Sequence, residues 1–437
     1  MAFLLYLFSL RFDSIRNTVY IKEEEIELQE LFFMNRCDEF LKQYYGTLSF
    51  RDYTLLDRSV RTLEANAAGA PGEIFPWSPM RGIRPSHGTA KAMANYPGVW
   101  NWDCAFHAMA VMKWDLEFAR DQIRIFLKIQ QENGKFADVW RWDPNAPVPI
   151  FTGAAKPPIL PWAAWEIEEA EHQEEFLKNS YDGFVRNETF WSEHRGGNAY
   201  GLFHYDGDTD LPDKRKLWSG WESGWDNSPR WDNGAFNLFT VDLNCYMVLF
   251  YRALLKMAQR LGRNAEALEW KKKEAALTEQ IETRLWDEDA GSYFDFDYSE
   301  QKFRKVMTPA NFMPLFIRTA SSERAEKMAN IAKQHFVPGW PTVSYYDPAY
   351  TSKHYWRGPT WYNVAYFALK GLKEYGFNEL ADSGKEQLLE WASQTPEAIH
   401  EYYDSKTGEA LGVNHFGWSC AFIIKFLIDW EKPLSLS

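Results

Sequence analysis

From Asp38 onward, apolar side chains recur every three or four positions over long stretches, the spacing of a buried helix face. In Val241–Leu261, the residues Val241, Leu243, Met247, Val248, Tyr251, Leu254 and Leu255 repeat at this spacing, over a length too great for a strand. The same pattern predicts helices over Arg51–Ala68, Asp103–Trp114, Leu116–Glu132, Pro161–His172, Glu174–Asn187 and Pro309–Ala320. It continues through Ser322–His335, Pro359–Glu374, Asn378–Ser393 and Phe416–Asp429. Asn264–Leu285 differs in being rich in charge, with Lys271, Lys272, Lys273 and Glu274 as a solvated face, so it belongs outside. Less polar and more polar helices alternate, which predicts paired inner and outer layers. With no linker, fixed-period repeat or low-complexity segment, the expectation is one all-α closed toroid. Short strands are expected in the loops, at Ser292–Tyr298 and Thr342–Tyr346.

Composition adds a bias toward rings. Of 437 residues, 46% are hydrophobic and 25% charged, as in ordinary globular proteins, but 17% are aromatic, including 21 Trp. Many of these rings stand beside Asp, Asn, Arg and Gly, which favours a ring-lined cleft. A net charge of −13 with no basic stripe excludes nucleic acid as a natural partner. No apolar run approaches the ~20 residues needed to span a bilayer, so no membrane partner is expected. Met1–Leu10 is apolar but lacks a cationic start and a small-residue cleavage site. The expectation is therefore a cytoplasmic enzyme, with 1–37 as a leader and 38–437 as a single catalytic domain. Cys37, Cys104, Cys245 and Cys420 lack paired spacing and read as reduced thiols. No H-E-x-x-H, Walker loop, G-x-G-x-x-G or G-x-S-x-G is present. Asp206, Asp208 and Asp210 alternate as in a calcium loop, but Leu211 stands where glycine is required. Neither metal nor cofactor is expected.

Two carboxylate clusters carry the candidate chemistry. Glu222-Ser223-Gly224-Trp225-Asp226-Asn227-Ser228-Pro229-Arg230-Trp231-Asp232 sets acids among indoles in a stretch that suits neither helix nor strand. His400-Glu401-Tyr402-Tyr403-Asp404, followed by Thr407-Gly408, has the same character. Rings stack on the apolar faces of a sugar, and apolar surroundings raise a carboxyl pKa so that it stays protonated as an acid. Asp226, flanked by a glycine and a proline, projects from a sharp turn, with Trp221, Trp225 and Trp231 as its apolar surroundings. The plainer reading makes Asp226 or Asn227 a helix cap. Glu401 suits a base held by hydrogen bonds, or else a residue in a solvated hairpin; Asp404 and Glu409 are weaker competitors. Asp103 fits either an N-cap or a sugar contact, and Arg357 either holds a carboxylate, orients sugar hydroxyls or stacks on a structural Trp.

The order of these segments resembles family 63 glycoside hydrolases, particularly their compact bacterial members. Glu222 to Pro229 resembles E-S-G-x-D-N-S-P, Tyr96-Pro97 with Trp100 to Asp103 resembles Y-P-x-x-W-x-W-D, and Gln130 with Asn133-Gly134 resembles Q-x-x-N-G. Tyr355 to Pro359 with Trp361 resembles Y-W-R-G-P-x-W, and Glu401-Tyr402-Tyr403 with Thr407-Gly408 and Trp418 resembles the late E-Y-Y block. The resemblance implies an (α/α)6 barrel and inverting hydrolysis of an α-linked glucose or mannose from a small conjugate, such as glucosylglycerate or mannosylglycerate. It places the general acid at Asp226 and the general base at Glu401. Trp102, Asp103, Gln130, Asn133, Trp356 and Arg357 would line the sugar subsite, and Tyr96, Trp221, Glu222, Asn227, Tyr355, Trp361 and Trp418, in or beside the same blocks, complete the expected substrate-binding set. Two departures bear on specificity: Lys156 stands where the family has Gln, and Lys135 to Asp138 replaces M-x-P-H. A sugar 2-epimerase on a helical toroid, using His107, His354, His400 or His415, and a non-catalytic sugar-binding protein are the competing readings. The sequence leaves the oligomeric state open.

Overall fold

A computed structural model describes residues 36–67, 80–87, 98–141, 150–151, 154–205, 220–232 and 238–436. Met1–Leu10, Tyr96 and Asp206 to Asp210 lie outside the described residues. Twelve helices build the barrel among those residues: α1 Phe50–Asn66, α2 Asn101–Val111, α3 Leu116–Lys128, α4 Leu160–Ala170, α5 Glu174–His194 and α6 Val241–Arg260, then α7 Asn264–Arg284, α8 Met313–Phe316, α9 Ser322–His335, α10 Tyr362–Glu374, α11 Asn378–Ser393 and α12 Gly417–Ile424. Even-numbered helices pack α2 on α4, α4 on α6, α6 on α8, α8 on α10, α10 on α12 and α12 back on α2. This is a closed inner ring, and odd-numbered helices cover it from outside, as α7 covers α6 and α11 covers α10. The fold is an all-α (α/α)6 barrel.

Burial follows the polarity of each segment. Every residue of α2 and of α12 is buried. In α7 only Ala267, Trp270, Leu277 and Ile281 are buried, a single stripe on a charged helix. Inner-to-outer hairpins reuse one device. Gly262 after α6 and Gly376 after α10 adopt φ of 71° and 84°, the left-handed conformation that ends a helix at least cost in glycine. Asp115 and Ser321 open α3 and α9 by accepting from the backbone N–H of Phe118 and Arg324.

Several boundaries differ from expectation. The second predicted helix starts at Asn101, so Asp103 lies inside its first turn and Trp100 holds the cap position. Pro309–Ala320 is broken into a 3₁₀ turn, Pro309–Phe312, and the short α8, because Pro309 and Pro314 each remove a backbone donor. The last helix passes into a π-turn at Lys425–Asp429. Thr342–Tyr346 is not a strand: Thr342 N–H bonds Pro359 O, Ser344 N–H bonds Met307 O, and Asp347 N–H closes a turn on Ser344 O. Ser292–Tyr298 does hold strands, β1 Ser292–Tyr293 and β2 Asp295–Asp297. Long loops precede the inner helices, and the inner helices share one direction because each follows an antiparallel outer partner. Their N-terminal ends therefore gather Asp103, in the first turn of α2, with the connecting segments bearing Lys156, Asp226, Tyr355 and Glu401 at one mouth of the barrel.

Candidate active site

Asp226 is presented by a turn fastened on every side. Gly224 takes φ 78°, and a Cβ there would lie 2.4 Å from the Trp102 ring, so only glycine fits. Glu222, fully buried, accepts from Arg195 at 2.9 and 3.0 Å and from Ala155 N–H at 3.2 Å. Asn227 Oδ1 accepts from Trp356 N–H at 2.8 Å. Arg357 donates to the Asn227 carbonyl at 3.1 Å and forks onto Asp232 at 2.9 and 2.6 Å. Behind the turn, buried Arg230 bridges Asp242 and Asp295 at 2.8–3.0 Å. Ser228, not Asp226 or Asn227, caps the following 3₁₀ turn, so the cap reading fails. The Asp226 carboxyl remains half-buried and hydrogen-bonds the Tyr355 hydroxyl.

Glu401 lies on β3, His400–Tyr403, paired with β4, Ala410–Asn414. Register holds at Ala410↔Tyr403 and Leu411↔Tyr402, then shifts. The shift passes through Gly412, at φ 70°, and turns Val413 N–H onto Glu401 Oε2 at 3.1 Å. Glu401 is buried, at 5% exposure, which rules out the solvated-hairpin reading. Burial pushes its pKa up to about 7; the Val413 N–H opposes the rise and the Asp226 charge adds to it. The late acid therefore senses the mid-chain acid across the mouth. Burial also raises Asp226 above the usual carboxylate range, against the pull of Lys156 and Tyr355.

Two further acids complete the cluster. Asp103 is pushed by burial to about 8, with Lys156 opposing and Asp138 and Glu401 reinforcing. Asp138 is pushed by burial to about 6, again with Lys156 opposing. Lys156 Nζ lies 3.3 Å from Asp138 Oδ1, hydrogen-bonds the Trp221 carbonyl and faces the Trp102 ring at 5.7 Å. Charge and proximity mark Lys156 and Asp138 as part of the site, whereas in the sequence they stand out only as departures from the family pattern.

Other expected residues divide. Trp102 meets Trp418 edge-on at 5.1 Å beside the cluster. Gln130 is not brought there: its amide donates to Gly134 O and Gly183 O at 2.9 and 2.8 Å and accepts from Arg186, bracing a turn against α5. Asn133 is exposed and caps its own turn through Lys135 N–H at 3.1 Å. Glu222, Asn227 and Arg357 are consumed in holding the Asp226 turn, and Arg357 holds Asp232 rather than a sugar. Trp356 and Trp361, at 1% and 0% exposure, offer no face to a ligand. Trp221 and Tyr355 are half-buried. Among the described residues, no group of three or more His, Cys, Asp or Glu is arranged to hold a metal ion. Nor is any helix there long and apolar enough to cross a membrane.

A closed double ring of helices with two buried acids at one mouth is an architecture shared by (α/α)6 glycoside hydrolases. Residues 96–419 match the mannosylglycerate hydrolase MGH1-like glycoside hydrolase domain, and the chain belongs to that family. It is 24% identical over 420 residues to a mannosylglycerate hydrolase of Rubrobacter radiotolerans, covering 76% of this chain and 91% of that one. A periplasmic trehalase of Escherichia coli is 30% identical over 233 residues, 49% of this chain and 40% of the relative. The family 63 mannosylglycerate hydrolase of Thermus thermophilus in complex with glucose has the same fold, with TM-score 0.70 at 24% identity, covering 85% of this chain and 99% of that one. The family assignment makes the chain a glycoside hydrolase and sets aside the epimerase and non-catalytic readings.

Proposed function

We propose that this chain is an inverting, exo-acting α-glycosidase that removes glucose or mannose from a small conjugate such as glucosylglycerate or mannosylglycerate. Asp226 gives its proton to the departing glycosidic oxygen, while Glu401 takes a proton from a water that attacks the anomeric carbon from the opposite face. Support comes chiefly from one observation. Carboxyls from two distant segments share one poorly solvated space, where burial raises both pKa values and the two acids are coupled, so the pair holds one proton over a range of pH. An inverting pair needs about 6.5–9.5 Å between carboxyls to hold that water. Asp103, held with Lys156, faces the same space and suits a sugar hydroxyl. Cytoplasmic action, with 38–437 as one catalytic domain, belongs to the same reading.

Trehalose is the second candidate substrate, and a specific feature favours it. Lys156, Arg195 and Arg357 around the mouth are each already paired with a carboxylate, which suits an uncharged leaving group. Incubation with mannosylglycerate, glucosylglycerate and trehalose, followed by proton NMR of the released sugar, tests both. From the two glycerate conjugates the expected first product is the β-anomer, and from trehalose equal amounts of β- and α-glucose, since the departing glucose keeps its configuration; release of the α-anomer alone would refute inversion. Asp226→Asn and Glu401→Gln are expected to lower kcat by at least about 1,000-fold while the fold persists. Wild-type turnover in either variant removes that residue from its role.

A further inference from the structure

Four rings lie in a column between the two catalytic loops. Trp225, the residue before Asp226, packs on Trp356 with centroids 5.0 Å apart. Trp356 stacks on Trp361 at 4.0 Å and 10°. Trp361 stacks on Tyr402, the residue after Glu401, at 4.8 Å and 22°. The column thus begins one residue from the acid and ends one residue from the base. Its first three members are shut away from solvent, at 1%, 1% and 0% exposure for Trp225, Trp356 and Trp361. A sugar therefore has no face to stack on there, and contact with substrate does not account for these rings.

We propose that this column is a spacer that sets the separation between Asp226 and Glu401, with Trp361 as its central positioning residue. The inference rests on the catalytic assignment above. Stacked rings resist compression because aromatic faces are already at contact distance, and sliding is blocked where their edges are covered. Tyr355 covers those edges: its ring meets Trp361 at 5.2 Å and Tyr402 at 5.6 Å, both edge-on, while its hydroxyl bonds Asp226. Backbone bonds lock both ends to the middle. Trp356 N–H is held by Asn227, and Trp361 Nε1 donates to the Tyr355 carbonyl at 3.0 Å. Thr360, immediately before Trp361, exchanges two backbone hydrogen bonds with Tyr403, at 2.8 and 3.1 Å. Acid, column and base thus form one bonded unit, in which the packing of the rings fixes how the two carboxyl-bearing segments stand relative to each other.

Trp361→Phe and Trp361→Leu test the spacer, with hydrolysis of mannosylglycerate and α-D-glucosyl fluoride as readouts. A misplaced pair is expected to lower kcat about a hundredfold in Trp361→Leu and less in Trp361→Phe, with KM within about twofold of wild type. Sodium azide, which attacks without a base, is expected to restore part of the Trp361→Leu turnover on α-D-glucosyl fluoride, giving β-glucosyl azide. Circular dichroism and thermal unfolding confirm that the variants compared are folded. If folded Trp361→Leu and Trp361→Phe keep wild-type kcat, or if only KM rises, the spacer role is overturned. If Asp226→Asn and Glu401→Gln instead remain active, the catalytic assignment itself fails, and the two failures are distinguished.

Discussion

Lys156 sits among Asp103, Asp138 and Asp226, and its charge favours the ionised form of all three. Removing that charge raises their proton affinity. In Lys156→Met, Asp226 stays protonated to higher pH, so the alkaline limb of the kcat/KM profile is expected to move up by about one unit. A limb that moves down or stays would show that Lys156 does not act on the acid. The acid limb reports the ionisation of Glu401, on which Lys156 has no direct pull, and should move far less. Asp226 and Glu401 stand out in the sequence as candidates because carboxylates wrapped in rings and broken by glycine have few structural uses. Gln130 and Asn133 mislead for the opposite reason. A short amide motif suits a turn brace as well as a sugar contact, and the direction each side chain faces depends on α5 packing beside it.

The hairpin carrying the base shows how one element transmits strain to chemistry. At Gly412 a Cβ would stand 2.5 Å from Glu401 Oε2 and 2.6 Å from the Tyr402 ring, in a left-handed backbone that disfavours any side chain. Gly412→Ala is therefore expected to cost about 1–3 kcal/mol of stability and to displace Glu401, lowering kcat more than tenfold with KM little changed. Thermal unfolding and steady-state kinetics measure the two effects, and a folded variant with wild-type kcat would contradict the geometry. Helix existence is readable from apolar spacing: Asn378–Ser393 and Ser322–His335 begin and end where the pattern does. Pro309–Ala320 is not, since two prolines interrupt a periodicity that otherwise continues.

Across the whole molecule, the mouth of the barrel trades stability for poised acids. Glu401 binds its proton more tightly when folded than when unfolded, because burial lifts its pKa from 4.5 to about 7. Its contribution is intact below about pH 4.5 and is lost as the pH rises through about 7. Glutamine does not titrate, so the stability of Glu401→Gln relative to wild type is expected to grow between pH 5 and pH 8, toward about 3 kcal/mol. Chemical unfolding at both pH values measures this, and a difference that is flat or shrinks with pH contradicts the burial of the base. Asp103 and Asp138 share the sign, so the site as a whole favours a mildly acidic optimum for folding.

By itself the chain determined the helical toroid, the outer position of the charged helices and the choice of Asp226 and Glu401 as candidate acids. Each of these follows from local spacing and composition, which neighbours in sequence already express. Only the tertiary structure decided which rings are shut away, which amides brace turns and which loops meet around the acids. These depend on side chains more than a hundred positions apart meeting at one mouth, as Trp225 and Asn227 do with Trp356. No local pattern encodes such a meeting, because it exists only once the ring of inner helices has closed.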